Sequence, residues 1–215
     1  MPDEVVGLGR TARTRIRRGP DKAVSDPGPM YALLDRNFVC HLAYQAPHGP
    51  AVVPMVYGRA GSLLYLHGST ASTAMAPGRP ICLAVTESTG IVMARAAFFH
   101  TMNYESAVVY GTAEPVHESE KLAGLRIISE HMIPGRWDDV RPPNAKELAA
   151  TQLIKVPLDE AAMKRRSGPP TADPDDPDNK WAGTWTGVVP ITTQLQDPLA
   201  DEASASLTTP KYLER

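Results

Sequence analysis

The sequence is poor in the features that usually announce a function. Its two cysteines, Cys40 and Cys82, lie far apart inside apolar runs, with no metal-ligand or redox spacing between them. They read as buried thiols of a reducing compartment. Charge of one sign is also missing: 22 Lys and Arg stand against 24 Asp and Glu, which implies neither nucleic acid nor a membrane surface as a partner. No apolar run is long enough to span a bilayer, and MPDEVVGLGRTARTRIRRGP lacks the apolar centre of a secretory signal. A cytoplasmic protein is therefore expected. The six histidines, His41, His48, His67, His100, His117 and His131, show no HExxH spacing or close ligand pairing, so no metal site is expected. Serine-hydrolase and P-loop signatures are absent, and no GxGxxG follows the first strand to open a doubly wound fold.

What is present is a series of short strand signals. Phe38–Tyr44, Ala51–Tyr57 and Leu63–His67 are separated by the turn signals Pro47-His-Gly-Pro50 and Arg59-Ala-Gly-Ser62, which predicts two hairpins end to end. Pro54 has no N–H to give a ladder, so its strand should be an edge, carry a bulge or face a ligand there. Ile81–Thr86 and Ile91–Phe99 follow as strands with Glu87-Ser-Thr-Gly90 between them as a turn, and then Ser106–Val116, where Gly111 signals a bulge or a close backbone approach. Short, evenly spaced strands with tight turns predict a mainly β, antiparallel barrel or sandwich with a few peripheral helices.

Helices are predicted at Met30–Arg36, after the Asp26-Pro27-Gly28-Pro29 turn, and at Glu118–Met132. In the second, Leu122, Leu125, Ile128 and Met132 recur at helical spacing and are expected to form the buried face. A third begins at Asn144 with a capping box to Glu147. Thr151–Leu158 reads as a closing strand. The organisation expected is an arginine-rich arm over 1–27 (Arg10, Arg13, Arg15, Arg17, Arg18), a barrel domain over 28–166 and an extension over 167–215 packing on the barrel. The arm is either a phosphate grip or a solvated leader. Ser167–Asn179 is too rich in Pro and Asp for regular structure, and beyond about Asp197 little is expected to hold the chain. Trp181 and Trp185 need burial, which predicts that 167–190 packs over a ligand cleft or pins the chain to the barrel.

Two segments have the composition of a binding site. His67-Gly-Ser-Thr-Ala-Ser-Thr73 offers an imidazole, a glycine and four hydroxyls at a strand end. That suits a phosphate, and equally suits a loop capping the next helix. Phe98-Phe-His-Thr-Met-Asn-Tyr104 could flank a planar ring with aromatic and sulfur groups, His100 and Asn103 meeting its polar edge; it could also be an ordinary corner of core.

From about Thr14 to Pro190 the chain resembles the pyridoxamine 5'-phosphate oxidase-related flavin-binding proteins, in the branch that includes nitroimidazole-resistance-like proteins. The resemblance rests on Phe38-Val-Cys-His-Leu-Ala, Val53-Pro-Met-Val-Tyr57, Leu64-Tyr-Leu-His-Gly-Ser69, Met102-Asn-Tyr104, Val109-Tyr-Gly111, Glu130-His-Met-Ile-Pro-Gly-Arg-Trp137, Glu147-Leu-Ala-Ala-Thr151 and Trp181-Ala-Gly183. It implies an FMN-binding split β-barrel that forms a homodimer, with ligand clefts between the subunits. It places Val53, Pro54, Met55, Val56 and Tyr57 along the isoalloxazine. It sets His67, Gly68, Ser69, Ser72 and Thr73 at the ribityl-phosphate end, and Asn103, Tyr104 and Ser106 on a neighbouring strand. The activity implied is an FMN-dependent oxidoreductase for a small-molecule substrate, with His67, His100 and Tyr104 as candidate proton donors or substrate orienters.

Two positions depart from the branch. Thr73 and Glu105 stand where it usually has arginines, a local change of about three charge units if both sites are ionised. A phosphate wants guanidinium partners, so Arg79 or the arginine arm would have to replace them. The alternatives are a haem-binding or otherwise repurposed split barrel without FMN, and a regulatory module without turnover.

Overall fold

The computed structural model describes residues 8–171 and 180–214. Its strands, in chain order, are β1 (Ala23–Val24), β2 (Val39–Ala46), β3 (Gly49–Ala60), β4 (Leu63–Ser69), β5 (Pro80–Met93), β6 (Thr101–Thr112), β7 (Glu114–Pro115), β8 (Thr151–Pro157), β9 (Ala161–Arg166) and β10 (Gly187–Pro190). The helices are α1 (Pro27–Arg36), α2 (Lys121–Met132) and α3 (Ala145–Ala150), with short 3-10 turns between elements. Contacts divide the described chain into two compact units. One lies within Met1–Asn37, Ala84–Val109 and Asp159–Thr192, the other within Phe38–Leu83, Tyr110–Leu158 and Thr193–Arg215.

In the first unit the strand order is β1, β9, β6, β5, with β10 on β5, and the pairs β1–β9, β6–β9 and β5–β10 are antiparallel. α1 starts at Pro27, three residues earlier than the sequence predicts, because the Asp26 side chain accepts from Gly28 N and proline suits the first helical turn. Met30, Leu33 and Leu34 are its buried face. The expected turn at Glu87–Gly90 is instead the middle of β5. Gly90 is buried there, opposite Pro190 of β10, and an added Cβ would meet Val188 Cγ1 at 2.7 Å. The glycine marks a close approach and not a reversal. Part of the arm is fixed. Gly9 N donates to Ala161 O (3.0 Å), Thr11 Oγ1 donates to Glu160 (2.6 Å), and Arg13 pairs with the same carboxylate.

In the second unit the order is β2, β3, β4, β8, β7. The β2–β3 and β3–β4 hairpins form as the turn signals require. Leu64, Leu66, Leu153, Ile154 and Val156 are fully buried, each contributing roughly 1.5–3 kcal/mol of hydrophobic stabilisation. Gly111 lies under Val156, whose Cγ1 would be 2.7 Å from an added Cβ, the close approach expected of it.

α2 is rotated from its expected orientation. Its buried residues are Lys121, Gly124 and Ile128, while Leu122 is 43% exposed and Met132 is also exposed. Two glycines set this angle. A Cβ on Gly58 of β3 would lie 2.7 Å from Ile128 Cα, and one on Gly124 would lie 2.4 Å from Leu153 Cδ2. Lys121 survives burial by donating to Leu148 O (3.0 Å) and pairing with Glu118 (2.8 Å). The capping box of Asn144 and Glu147 forms as read.

The C-terminal residues are better held than the sequence implies. Tyr212 donates to Asp139 Oδ2 (2.7 Å), accepts from Arg136 Nη1 (2.9 Å), and its ring covers Gly135. A cavity of about 810 Å³ lies between this tail and the end of α2, lined by Ile133, Arg136, Leu199 and Leu207 among others.

Candidate functional site

The candidate residues fall into two groups, one in each unit. In the second unit they start from β3. It pairs with β2 over Gly49–Val56 and with β4 only over Tyr57–Ala60. Over Val52–Val56, then, one edge of β3 carries no strand among the described residues. Tyr57 N donates to Phe38 O (3.1 Å), which fixes the alternation of the antiparallel ladder. The backbone groups of Val53 and Met55 point to β2, and those of Val52, Pro54 and Val56 point to the open edge. Pro54 thus costs no ladder bond, in agreement with its edge reading. Tyr57 itself is different: its side chain is fully buried, with its ring 5.0 Å from that of His131, and its N–H is already given to Phe38 O on the β2 side.

His67, Gly68 and Ser69 close β4 opposite Leu153, Gln152 and Thr151 of β8. His67 reaches solvent, yet the atoms packed around it desolvate the imidazolium and lower its pKa, leaving the ring neutral at pH 7. Gly68 is needed for space: an added Cβ would meet Met75 Cγ at 3.0 Å and approach Met55 Cε at 3.9 Å. The loop beyond is folded on itself, with Ser72 N donating to Ser69 O (2.9 Å) and Ala71 N to Ser69 Oγ (3.2 Å). Thr73 lies 3.5 Å from the Tyr44 hydroxyl, and the Arg79 guanidinium sits over the Tyr44 ring at 5.6 Å. Neither Tyr44 nor the stacking of Arg79 on it was legible from the sequence, since residue 44 reads as one more strand position.

In the first unit, β6 places Asn103, Tyr104 and Ser106. The Asn103 amide is occupied within the unit: its Oδ1 accepts from Arg166 and its Nδ2 donates to Gly168 O (3.1 Å). Tyr104 is half-buried opposite Arg166, and Ser106 Oγ lies 2.9 Å from Thr86 Oγ1. His100 is exposed, with Nε2 3.0 Å from Ala94 O. Glu105, the second departure from the branch, is not an isolated negative charge. It pairs with Arg36 and with Arg165, and Arg36 also donates to Glu87 (2.5 Å). Desolvation works against the Arg36 cation, but the two carboxylates outweigh it and its pKa is raised.

Trp181 and Trp185 are 57% and 63% exposed within one chain, and Trp185 lies against Gly187, where a Cβ would be 2.8 Å from the indole. Much of the Pro/Asp-rich loop, residues 172–179, lies outside the described residues. Among the described residues no group of three His, Cys, Asp or Glu could hold a metal ion, and no helix is long and apolar enough to cross a membrane.

An antiparallel β fold with peripheral helices, an open strand edge and a hydroxyl-rich loop at the next strand end defines a split-barrel protein of the flavin-binding type. The profile of the pyridoxamine 5'-phosphate oxidase family matches residues 26–165, and the chain belongs to that family. Its solved relatives include the flavocytochrome Anf3 of Azotobacter vinelandii, 32% identical over 94% of this chain and 95% of that one, with a TM-score of 0.87. They also include an FAD- and haem-binding protein of Mycobacterium smegmatis, 34% identical over 89% and 95%, with a TM-score of 0.82. A protein of Bacteroides thetaiotaomicron described as a candidate 5-nitroimidazole antibiotic resistance protein shares the fold at 21% identity and a TM-score of 0.55, covering 66% and 85%. Among curated proteins none matches the chain.

Proposed function

We propose that this protein is a flavin-dependent oxidoreductase acting on a small organic substrate. The observation that carries the reading is the near full-length likeness to two redox proteins, one a flavocytochrome and the other a binder of FAD and haem. The residues present fit a flavin. The open edge of β3 offers the Val52 and Val56 N–H groups and the carbonyls of Val52, Pro54 and Val56 to a planar ring with donors and acceptors on its rim. Ser69, Ser72 and Thr73 follow in the same unit as hydroxyls for the phosphate end. Once bound, the flavin supplies the electron and hydride chemistry, and the chain orients it and excludes water. No side chain has to act as an obligatory acid or base. His67, neutral at pH 7, can accept a proton or orient substrate, whereas His100 and Tyr104 remain the candidates on the other unit.

FMN is the flavin the resemblance implies, and FAD is the one named for the M. smegmatis relative. A haem beside the flavin is the second reading, favoured by both relatives, one a flavocytochrome and the other a binder of FAD and haem. An absorption spectrum of the purified protein, followed by mass analysis of released cofactor, tests both. Flavin bands are expected, with a Soret band if haem is held. Protein that stays colourless after incubation with FMN, FAD and haemin overturns the proposal.

We also propose a homodimer in the cytoplasm, with the ligand clefts shared between subunits. Ile91 and Met93 of β5 and Val189 of β10 share one face of the sheet, because Val189 pairs directly with Ile91, and all three are exposed in the single chain. Trp185, Ile191 and Phe98 of the same unit are exposed as well. So much apolar surface is unusual for a monomer, and two-fold association is the commonest way to cover it.

A further inference from the structure

We propose that Arg79 is the residue that holds the ligand's phosphate, acting together with Tyr44 and Thr73. The inference rests on the flavin-nucleotide reading above and adds to it which side chain supplies the positive charge.

Arg79 follows the Thr73–Met75 turn and immediately precedes β5. Its guanidinium is held in two ways. It stacks over the Tyr44 ring at 5.6 Å, and Nη1 donates to the backbone oxygen of Gln45. These contacts fix the plane of the group, which lowers the entropy lost when it grips a ligand. What they do not supply is a counter-charge. Other arginines and a lysine are tied to carboxylates, and among the described residues no ion pair involves Arg79. Its Nε is buried without a hydrogen-bond partner, the one such side-chain atom among the described residues. Nε and Nη2 together form the edge of a guanidinium that makes paired bonds to a phosphate, and neither is engaged by a described residue.

The surroundings point to the same ligand. The Tyr44 hydroxyl, under the arginine, lies 3.5 Å from Thr73 Oγ1, too long for a strong hydrogen bond and open to a third oxygen. The groups shown around this cation are thus the Tyr44 ring, the Gln45 carbonyl and, beside the Tyr44 hydroxyl, the Thr73 hydroxyl. A fixed, uncompensated arginine with hydroxyl donors around it suits a phosphate ester. The Ser/Thr loop has only hydroxyls and could not balance such a charge by itself.

The test compares three flavins on wild-type protein, Arg79→Gln and Arg79→Lys: FMN, FAD and riboflavin, the last having no phosphate. Dissociation constants are read by flavin fluorescence, with folding of each variant checked by circular dichroism. Arg79→Gln should weaken FMN and FAD about tenfold to a hundredfold, the range expected for a lost charged hydrogen bond, and leave riboflavin unchanged. FMN against FAD distinguishes a terminal phosphate from a pyrophosphate. Nucleotide affinity that survives Arg79→Gln overturns the assignment, and so does an equal loss for riboflavin. If Arg79→Gln does not fold, Arg79→Lys keeps the charge without the fork and carries the same comparison, with a smaller loss confined to the nucleotides. If wild-type protein binds none of the three flavins, the flavin reading fails by itself. Arg79 is then judged with inorganic pyrophosphate, which should raise the Tm of the wild type and not of the variant. A wild type indifferent to pyrophosphate overturns the inference.

Discussion

Ile128 of α2 lies directly on Gly58 of β3, its Cα 2.7 Å from where a Cβ would stand, with the Ile127 carbonyl carbon and oxygen at 2.8 Å. The obstacle is helix backbone, which cannot rotate aside. Gly58→Ala should therefore lift α2 off the sheet and disturb the cluster of Val116, Ile128 and Leu153 with Val56, Tyr65 and Leu125 around it. We expect a loss of about 1–3 kcal/mol or more, the range for overpacking a filled core. Gly124→Ala meets the movable end of Leu153 and should cost less. Urea unfolding of both variants gives the order, and a Gly58→Ala protein as stable as wild type would refute this packing.

Glu130 anchors the turn that follows the same helix. Its carboxylate accepts from Gly135 N (2.7 Å) and Trp137 N (2.8 Å), and these two backbone bonds hold its pKa below the usual carboxylate range, with Arg126 adding to the effect. A depressed folded pKa stabilises the protein above the unfolded value and loses that stabilisation as pH falls through the folded one. Glu130→Gln can keep at most one of the two bonds. The gap in urea midpoint between wild type and variant should be constant from pH 7 to about pH 5 and narrow below pH 4.5, the ordinary value for the group. A gap that does not vary with pH would mean that the charge contributes nothing.

The clasp of Tyr212 on Arg136 and Asp139 predicts a protected C-terminus. Limited proteolysis should leave the tail of the folded wild type intact, whereas Tyr212→Ala, which loses both hydrogen bonds and the cover over Gly135, should be trimmed toward residue 197. Equal trimming of the two proteins would show that the clasp does not hold in solution.

The proposed dimer has a simple check. Ile91→Lys puts a charge on the apolar face opposite Val189, where Lys is well tolerated on a solvated strand but costly in a buried interface. Light scattering should give twice the 23.2 kDa chain mass for wild type and a shift toward that mass for the variant. A wild type at the chain mass in micromolar solution removes both the dimer and the shared cleft.

Much of the fold could be read from local signals. The hairpins, the capping box at Asn144 and the edge character of Pro54 each depend on residues near one another in sequence. The errors share a cause, which is that long-range packing decided the outcome. Glu87–Gly90 carries turn residues, but β5 runs through them and pairs with β10 from Gly90 to Met93. The apolar stripe of α2 pointed to Leu122 and Met132, yet the helix seats where Gly58 admits its backbone and Gly124 makes room for the Leu153 side chain. Tyr212 finds Arg136 and Asp139 across a separation that no periodicity reports. In the candidate site the hydroxyl loop was legible by composition. Tyr44 and its stack with Arg79 were not, because a strand tyrosine carries no mark of what lies over it.

The open edge of β3 has a bearing on how the protein fares before it meets its ligand. An unpaired strand edge invites another chain to add itself as a strand, the first step of aggregation. Over Val52–Val56 that invitation is cut short at Pro54, which has no N–H to offer and breaks the repeating pattern of donors that an incoming strand would need. A small planar molecule is not handicapped in this way, since it can use the Val56 N–H and the neighbouring carbonyls without reading the whole edge. One proline thus leaves the same stretch of backbone open to the proposed flavin while making it a poor template for a second strand.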